Sequence, residues 1–302
     1  MSLRIAIIGA GGLGGLFGAR LVHGGADVTF LVRGDTFEAL RSGGLTLTTP
    51  DESFTVPVAA TDDPASVGHV DVVLHTTKAT GFRDALSEAL PVIGPETIVV
   101  TTQNGVEAPD IAAEYVAARR VLPGIARVFS EAVSPGVIEV SGGPGSLAFG
   151  TTDGSVNPHA QAFRMELEIA GVPVVVPADI RVELWEKAMY VVPHGALGAL
   201  VDEPLGVLRG ALRGTFAAAA SEIAAVGRSR GIALEADAVE RVLAFIDRLP
   251  TDSTASLHRD LVAGRPSELD AQVGAICRFG AEAGVGTPML DLVLRALAVR
   301  VD

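Results

Sequence analysis

Residues 3–23 read LRIAIIGAGGLGGLFGARLVH, and this stretch decides the fold of the N-terminal half. Apart from Arg4, residues 3–8 form an apolar run of strand length, which is typical of a strand buried on both faces of a sheet. Gly9, Gly11 and Gly14 follow in G-x-G-x-x-G spacing, and residues 12–23 have the pattern of a helix. The strand–turn–helix context predicts a Rossmann-type phosphate-binding turn.

Each glycine of this turn has a physical role. The first permits a tight turn, the second lets the backbone approach a pyrophosphate, and the third lets helix and strand pack closely. The helix N-terminus adds amides and the positive end of a dipole. We therefore predict that a dinucleotide binds at the following residues: Gly9, Gly11, Gly12, Leu13 and Gly14. Because the chain has 35 glycines, a merely structural turn is the alternative.

The strand and helix signals divide the chain near Pro177. Before it, strands alternate with helices, which predicts a doubly wound, mostly parallel α/β sheet. The predicted strands are 3–8, 27–32, 46–48, 54–56, 70–75, 97–101, 120–133, 137–140, 147–149 and 172–176, and the predicted helices are 12–23, 35–41, 82–90 and 158–170. After it, the predicted helices are 180–200, 205–230, 236–247, 267–283 and 289–299. We predict a Rossmann domain over residues 1–177 and an all-α domain over residues 178–302.

Composition excludes several classes of function. The chain has 302 residues and a formal net charge of −13. Such an acidic chain lacks the excess of positive charge that attracts nucleic acid or an anionic membrane. The single cysteine, Cys277, cannot form an internal disulfide or a metal cluster, so no metal site is expected and Cys277 is interpreted as a small buried helix residue. With no targeting segment recognised, we expect a cytoplasmic protein.

The end of the second predicted strand bears on the choice of cofactor. An acid there usually accepts hydrogen bonds from the ribose of NAD, whereas here the strand ends at Val32-Arg33-Gly34. The guanidinium of Arg33 can hold a 2′-phosphate, which favours NADP. Asp35 leaves NAD open, although we interpret it as the N-cap of the next helix. An ordinary solvated arginine is the other alternative for Arg33.

Lysine and asparagine are scarce in this chain. Of 23 Lys plus Arg, only Lys78 and Lys187 are lysines, and Asn104 and Asn157 are the two asparagines. A lysine kept where arginine is otherwise preferred is a candidate for a role that needs an ammonium with a movable pKa.

Five segments carry a family resemblance that spans essentially the whole chain. They are GAGGLGGLFGARL, VVLHTTKATGF, TTQNGVEAP, LWEKAMYVVPHGALGAL and SLHRDLVAGRPSELDAQVGAI. In order and spacing the sequence resembles the 2-dehydropantoate 2-reductase (ketopantoate reductase) family. The resemblance implies NADPH-dependent reduction of ketopantoate to pantoate, a step of pantothenate and coenzyme A biosynthesis.

The resemblance also implies roles for particular residues. The lysine that matches Lys187 is the general acid, Asn104 positions nicotinamide, substrate and lysine, and Lys78 lies by the cofactor. Ser256 would hold the substrate carboxylate, and Glu268 would bind a hydroxyl and tune the acid. Each residue also has a purely structural alternative. Lys187 could be an exposed helix lysine, Asn104 could form an Asn-Gly turn, and Glu268 could stabilise the start of the helix after Pro266.

The sequence departs from the family where asparagines usually follow the lysine by four and eight residues. Val191 and Gly195 stand there, which puts ketopantoate itself in doubt and favours a more apolar 2-oxo acid. His194, on nearly the same helix face, could supply a polar contact or be a structural histidine.

The sequence therefore leads to an NADPH-dependent reductase of a small 2-oxo acid that binds between the two domains. One alternative is a related two-domain hydroxy-acid dehydrogenase, and another is a non-catalytic NADPH-binding redox sensor. The small-residue helix face at residues 217–220 could pack inside the second domain or form a homodimer contact.

Overall fold

A computed structural model describes residues 3–299 of the chain. Strands are confined to the first part of the described chain, up to residue 175. They are β1 (Arg4–Ile8), β2 (Asp27–Leu31), β3 (Leu45–Thr48), β4 (Ser53–Val56), β5 (Ala59–Thr61), β6 (Val70–His75), β7 (Ile93–Thr101), β8 (Val121–Ser134), β9 (Val137–Phe149) and β10 (Val174–Val175).

Helices connect these strands and then make up the rest of the described chain. They are α1 (Gly12–His23), α2 (Gly34–Gly43), α3 (Phe82–Glu88), α4 (Ala108–Ala112), α5 (Pro158–Ile169), α6 (Ile180–Val201), α7 (Leu205–Arg209), α8 (Arg213–Ser229), α9 (Ala238–Ile246), α10 (Ser256–Val262), α11 (Ala275–Ala283) and α12 (Pro288–Ala298). A π-helical turn, Asp270–Gly274, leads directly into α11.

The strands form one mixed sheet in the order β4-β3-β9-β8-β7-β6-β1-β2-β5, with β10 beside β9. The centre, from β8 through β7, β6, β1 and β2 to β5, is parallel, whereas β3–β4 and β8–β9 are antiparallel pairs. The sequence prediction of a mostly parallel, doubly wound sheet followed by helices is confirmed.

Alternation along the central strands builds a core on each face of the sheet. Ile5 and Ile7 of β1 belong to one apolar cluster, while Ala6 and Ile8 belong to the other. Helices α1 and α5 cover the first face and α3 and α4 the second, so both faces of β1 are dry. This is why residues 5–8 of the strand are all apolar rather than alternating with polar residues.

Several predicted elements are corrected. Residues 137–149 form one strand, β9, because Gly143 and Gly145 with positive φ let it continue past an irregular register with β8. Residues 205–230 are two helices, which end and restart around Gly210. The last strand shrinks to Val174–Val175, and α4, α10 and β5 were not predicted.

The predicted N-cap of α2 was also wrong. Arg33 is the N-cap, and Asp35 lies inside the first turn, where a carboxylate interacts favourably with the positive end of the helix dipole. Glu268, predicted inside a first helical turn, precedes the helical segment, and its carbonyl accepts the amide of Gln272 over 2.9 Å.

Contacts divide the chain into two units. Unit 1 comprises residues 1–103 and 108–180, and unit 2 comprises residues 104–107 and 181–302. The short segment Asn104–Glu107 thus groups with the helices of unit 2. Ala219 and Ala220 of α8 are fully buried in unit 2.

Among residues 3–299, no helix combines the length and apolarity needed to cross a membrane.

Candidate active site and cofactor cavity

The turn between β1 and α1 is built by glycines with different constraints. Gly9 has φ +89°, a backbone conformation that residues with a side chain rarely adopt. A Cβ on Gly14 would lie 2.2 Å from the Gly9 carbonyl oxygen and 2.3 Å from Thr76 Oγ1. By contrast, a Cβ on Gly11 would meet no atom of the described residues within 4 Å. Gly14 is therefore fixed by packing, whereas the space over Gly11 is open.

The hydroxyl of Thr76 joins this turn to the neighbouring strand. Its Oγ1 donates to the carbonyl of Ile8 over 2.8 Å and lies 3.0 Å from that of Gly9. Gly12 is equally constrained, because its Cβ would lie 2.4 Å from the Ser130 carbonyl oxygen on β8. Leu13 is partly buried against the core. The backbone of the turn is thus held from two sides.

A cavity of about 520 Å³ opens beside this turn in unit 1. It runs along the carboxyl ends of β1 and β2, where ligands bind in open α/β sheets. Its lining comprises Ile8, Gly9, Ala10, Gly11, Leu31, Val32, Arg33, Thr36, Thr61, Asp62, Pro64, Thr77, Ala85, Glu88, Ala89, Ala132, Ser134 and Pro135. The cavity thus includes the open space over Gly11, walls of apolar side chains, and Arg33 at the end of β2.

These residues fit a pyridine dinucleotide. The room above Gly11 suits a pyrophosphate against the backbone at the start of α1, and the apolar walls suit an adenine ring. Arg33 lies where a ribose 2′ substituent is normally contacted. Its guanidinium pairs with the carboxylate of Glu88, with Nη2 to Oε2 at 2.7 Å and Nη1 to Oε1 at 3.3 Å.

A buried amide fixes the segment that carries Lys78. The Gln103 Nε2 donates to the carbonyl of Thr77 over 2.8 Å and to that of His75 over 3.1 Å. Its Oε1 accepts the amide of Thr102 over 3.0 Å. Gln103 thereby ties the ends of β6 and β7 together, and the exposed Lys78 follows directly as the N-cap of a 3-10 turn.

His75 lies at the centre of this network. It is fully buried, stacks on Phe82 with ring centroids 4.2 Å apart, and has its Nδ1 atom 3.3 Å from Gln103 Nε2. Desolvation lowers the pKa of His75 from 6.5 to about 3, although a backbone contact with Phe82 opposes the shift. The imidazole is therefore neutral at physiological pH.

In unit 2, the Asn104–Gly105 turn packs on the π-helical turn. Gly105 has φ +100°, and a Cβ there would lie 2.8 Å from the carbonyl oxygen of Ala271. Arg278 of α11 holds the same segment by pairing with both Glu107 oxygens at 3.0 and 3.1 Å and with Asp270 Oδ1 at 2.7 Å. Asn104 is thus anchored to the segment that begins at Glu268.

The carboxylate of Glu268 has a buried partner one turn ahead. Gln272 is fully buried and its Nε2 donates to Glu268 Oε2 over 3.1 Å, while its Oε1 has no hydrogen-bond partner within the described part of the chain. Glu268 itself is only partly buried. π-Turns of this kind are rare and occur frequently at functional sites.

Lys187 lies in the second turn of α6 and is partly buried. Val191, also partly buried, follows one turn later on the same helix face. Gly195 is where α6 meets α10, since a Cβ there would lie 2.8 Å from Leu257 Cβ. A larger side chain at position 195 would therefore require Leu257 to move.

Ser256 is the exposed first residue of α10, and the same unit contains two buried histidines, His194 and His258. His194 Nε2 lies 3.2 Å from the Ser253 carbonyl, and desolvation lowers the His194 pKa. His258 Nε2 lies 3.2 Å from Asp202 Oδ1. The hydrogen bond of His194 favours its interpretation as a structural histidine.

Sequence reasoning missed Glu88, Gln103, Gln272 and Arg278. Gln272 had a usable signal, because it stands four residues after Glu268 and so shares its face of a helix. Glu88 and Arg278 had none, since their partners are distant in sequence. Within residues 3–299, no group of three or more His, Cys, Asp or Glu side chains is placed to hold a metal ion.

A glycine-rich phosphate-binding turn, a mostly parallel sheet and a helical second unit are typical of pyridine-nucleotide-dependent oxidoreductases. Family models agree with this class. Residues 5–154 match the family described as ketopantoate reductase PanE/ApbA, and residues 179–301 match its C-terminal model. The chain belongs to the ketopantoate reductase family, whose members act on a CH–OH group.

Individual relatives match over nearly their whole length. A 2-dehydropantoate 2-reductase of Caulobacter vibrioides is 31% identical, with 97% of each chain covered. One from Mesorhizobium japonicum is 30% identical, with 98% of each covered. The crystal structure of 2-dehydropantoate 2-reductase from Geobacter metallireducens GS-15 has a TM-score of 0.88 at 27% identity, covering 98% of this chain and 99% of that one.

Proposed function

We propose that this protein reduces the carbonyl of a short 2-oxo acid with NADPH, and that 2-dehydropantoate is the leading substrate. The observation that supports the cofactor assignment is the cavity that joins the open space over Gly11 to the guanidinium of Arg33. Relatives that are named 2-dehydropantoate 2-reductases support the substrate.

Bound dinucleotide supplies the hydride for this reaction. Gly9, Gly11 and the first amides of α1, from Gly12, Leu13 and Gly14, would hold its pyrophosphate. Arg33 would contact the 2′-phosphate through its planar fork. Lys78 would contact the cofactor beside its nicotinamide half.

Lys187 is the proposed general acid. Hydride addition to a ketone leaves negative charge on oxygen, and an ammonium that donates its proton there lowers the barrier. The partial burial of Lys187 on α6 suits a group that must give up a proton near neutral pH. After transfer, the oxygen is a neutral hydroxyl and the amine is reprotonated from solvent.

Asn104, Glu268 and Ser256 would orient the substrate. The packing of Gly105 on Ala271 brings the Asn104 turn and the Glu268 segment into one assembly, so a single arrangement can position both side chains. Glu268 would accept from a substrate hydroxyl, and Ser256 would donate to its carboxylate. His194, Val191 and Gly195 would line the side of α6 that faces the substrate.

A second candidate substrate class is a 2-oxo acid with an apolar side chain. Val191 offers no hydrogen bond, and Leu257 fills the space that a side chain at Gly195 would need. A pocket with these residues would gain from apolar contact with such a side chain, and Val191 would offer no hydrogen bond to a polar substrate group beside it.

The test is oxidation of NADPH by the purified protein with 2-dehydropantoate and with smaller, larger and apolar 2-oxo acids. Lys187→Ala is expected to lower kcat by about 10²- to 10⁴-fold, the usual contribution of general acid catalysis. Lys187→Arg keeps the charge but cannot release a proton near neutral pH, so we expect it to be equally inactive. Cofactor affinity should remain unchanged in both variants.

The outcomes separate the candidates. Turnover of 2-dehydropantoate supports the leading substrate, and turnover of apolar 2-oxo acids alone supports the second class. Faster oxidation of a hydroxy acid would support a related dehydrogenase instead. Tight NADPH binding without turnover of any oxo acid would contradict the reductase and support a redox sensor.

A further inference from the structure

Glu88 faces the one arginine of the cofactor cavity. Arg33 is the single basic residue among the residues that line this cavity, whereas Asp62 and Glu88 are acidic. The formal charge of the described lining is thus negative. A site that selects strongly for a 2′-phosphate would be expected to have a surplus of positive charge.

The Glu88 carboxylate occupies both arms of the Arg33 fork. The contacts are 2.7 Å from Nη2 to Oε2 and 3.3 Å from Nη1 to Oε1. These are the two donor positions that a phosphate would use in a bidentate contact. A 2′-phosphate at Arg33 would therefore have to displace Glu88 or lie beside its negative charge.

Helix energetics do not explain why an acid stands at this position. Glu88 is the last residue of α3, where the negative end of the helix dipole disfavours a carboxylate. Its pairing with Arg33 links two elements that are far apart in sequence, at the rim of the cavity. Both side chains are more than half exposed, so the pair contributes little to folding and can open for a ligand.

We propose that Glu88 is a cofactor-selectivity residue, whose carboxylate neutralises Arg33 and makes the protein accept NADH nearly as well as NADPH. This inference rests on the proposed function, because it assumes that a nicotinamide dinucleotide binds in the cavity. In NADH, the free ribose hydroxyl can donate to Glu88, so the same carboxylate favours one cofactor and opposes the other.

The experiment measures dissociation constants of NADPH and NADH by calorimetry for the wild-type chain and for Glu88→Gln. Glutamine keeps the size of the side chain and removes its charge. We expect NADPH to bind roughly fivefold more tightly to Glu88→Gln and NADH to change less than about twofold. The gain should shrink as salt is added, because exposed charges are screened.

Adenosine 2′,5′-bisphosphate and 5′-AMP provide a second pair of probes that isolates the 2′-phosphate. Only the bisphosphate should bind more tightly to Glu88→Gln. The matched control is Glu114→Gln, since Glu114 pairs with Arg83 at similar exposure and does not line the cavity. This control should leave all four affinities unchanged.

Two results would overturn the inference. An unchanged NADPH-to-NADH affinity ratio in a folded Glu88→Gln protein would contradict the role of Glu88 while leaving the proposed function intact. Failure of the wild-type chain to bind either dinucleotide would instead contradict the proposed function, and the inference with it.

Discussion

The Nε2 atom of Gln272 lies 3.1 Å from Glu268 Oε2, and the Oε1 atom of the same buried amide has no hydrogen-bond partner among residues 3–299. A fully buried amide with one unsatisfied oxygen costs stability, roughly 1–3 kcal/mol. We therefore expect this contact to orient Glu268, the carboxylate proposed to bind substrate.

Replacing Gln272 tests this orientation. For Gln272→Leu, we expect the free energy of unfolding to change by less than about 1 kcal/mol, because the lost hydrogen bond is offset by removal of the buried oxygen. The kcat should fall roughly tenfold while dinucleotide affinity is retained. Urea unfolding, calorimetry and steady-state kinetics measure the three quantities. Unchanged kcat would show that Glu268 needs no such support.

The ion pairs of Arg278 with Glu107 and Asp270 can be compared with a similar ion pair elsewhere in unit 2. Arg278→Leu removes the link between Glu107 and Asp270, and Arg213→Leu removes the two-point contact with Asp247. Each should destabilise unit 2 by about 1 kcal/mol or less, since both pairs are partly exposed. Only Arg278→Leu should lower kcat, because only it anchors the Asn104 turn. Equal kcat in the two variants would contradict that role.

Two glycines of the phosphate-binding turn should respond differently to alanine. In Gly14→Ala, the new Cβ would overlap the Gly9 carbonyl and Thr76, so we expect a loss of about 2–3 kcal/mol of stability. In Gly11→Ala, stability should stay within about 0.5 kcal/mol because the Cβ meets open space. Dinucleotide affinity should nonetheless fall more than about tenfold in Gly11→Ala.

Thermal or urea unfolding and calorimetric binding distinguish these two effects. If Gly11→Ala bound NADPH and NADH as tightly as the wild-type chain, the pyrophosphate could not lie over Gly11. If Gly14→Ala were as stable as the wild type, the close approach at Gly9 would not constrain the turn.

His75 predicts a pH dependence of stability. Its folded-state pKa of about 3 lies below the unfolded value of 6.5, so the unfolded chain binds the extra proton between these values. The free energy of unfolding should therefore fall as pH is lowered from about 6.5 towards 3, with about 3 kcal/mol lost from this group by about pH 4.

The slope of unfolding free energy against pH measures this effect. His75→Phe keeps an aromatic ring against Phe82 and removes the titration, so the slope between about pH 4 and 6 should decrease. Part of it should remain, because burial also lowers the His194 pKa. His23→Phe, at an exposed position, is the control and should keep the wild-type slope. An unaltered slope in His75→Phe would contradict the assignment.

Sequence alone determined the architecture and the kind of chemistry. The apolar run before Gly9, the glycine spacing and the change of pattern near Pro177 are local features, and local periodicity fixes which elements form and which face they bury. The quoted segments also contained the residues now proposed for acid and orienting roles, including Lys187 and Glu268. Their roles remain predictions.

Tertiary structure decided which distant residues act on one another. Glu88 meets Arg33 across 55 positions, and Arg278 meets Glu107 across 171. Such pairs leave no mark on local periodicity, because they depend on how strands and helices pack rather than on spacing along the chain. The same holds for Gly195, where only the packing of α6 on α10 reveals that Leu257 fills the space a side chain would need.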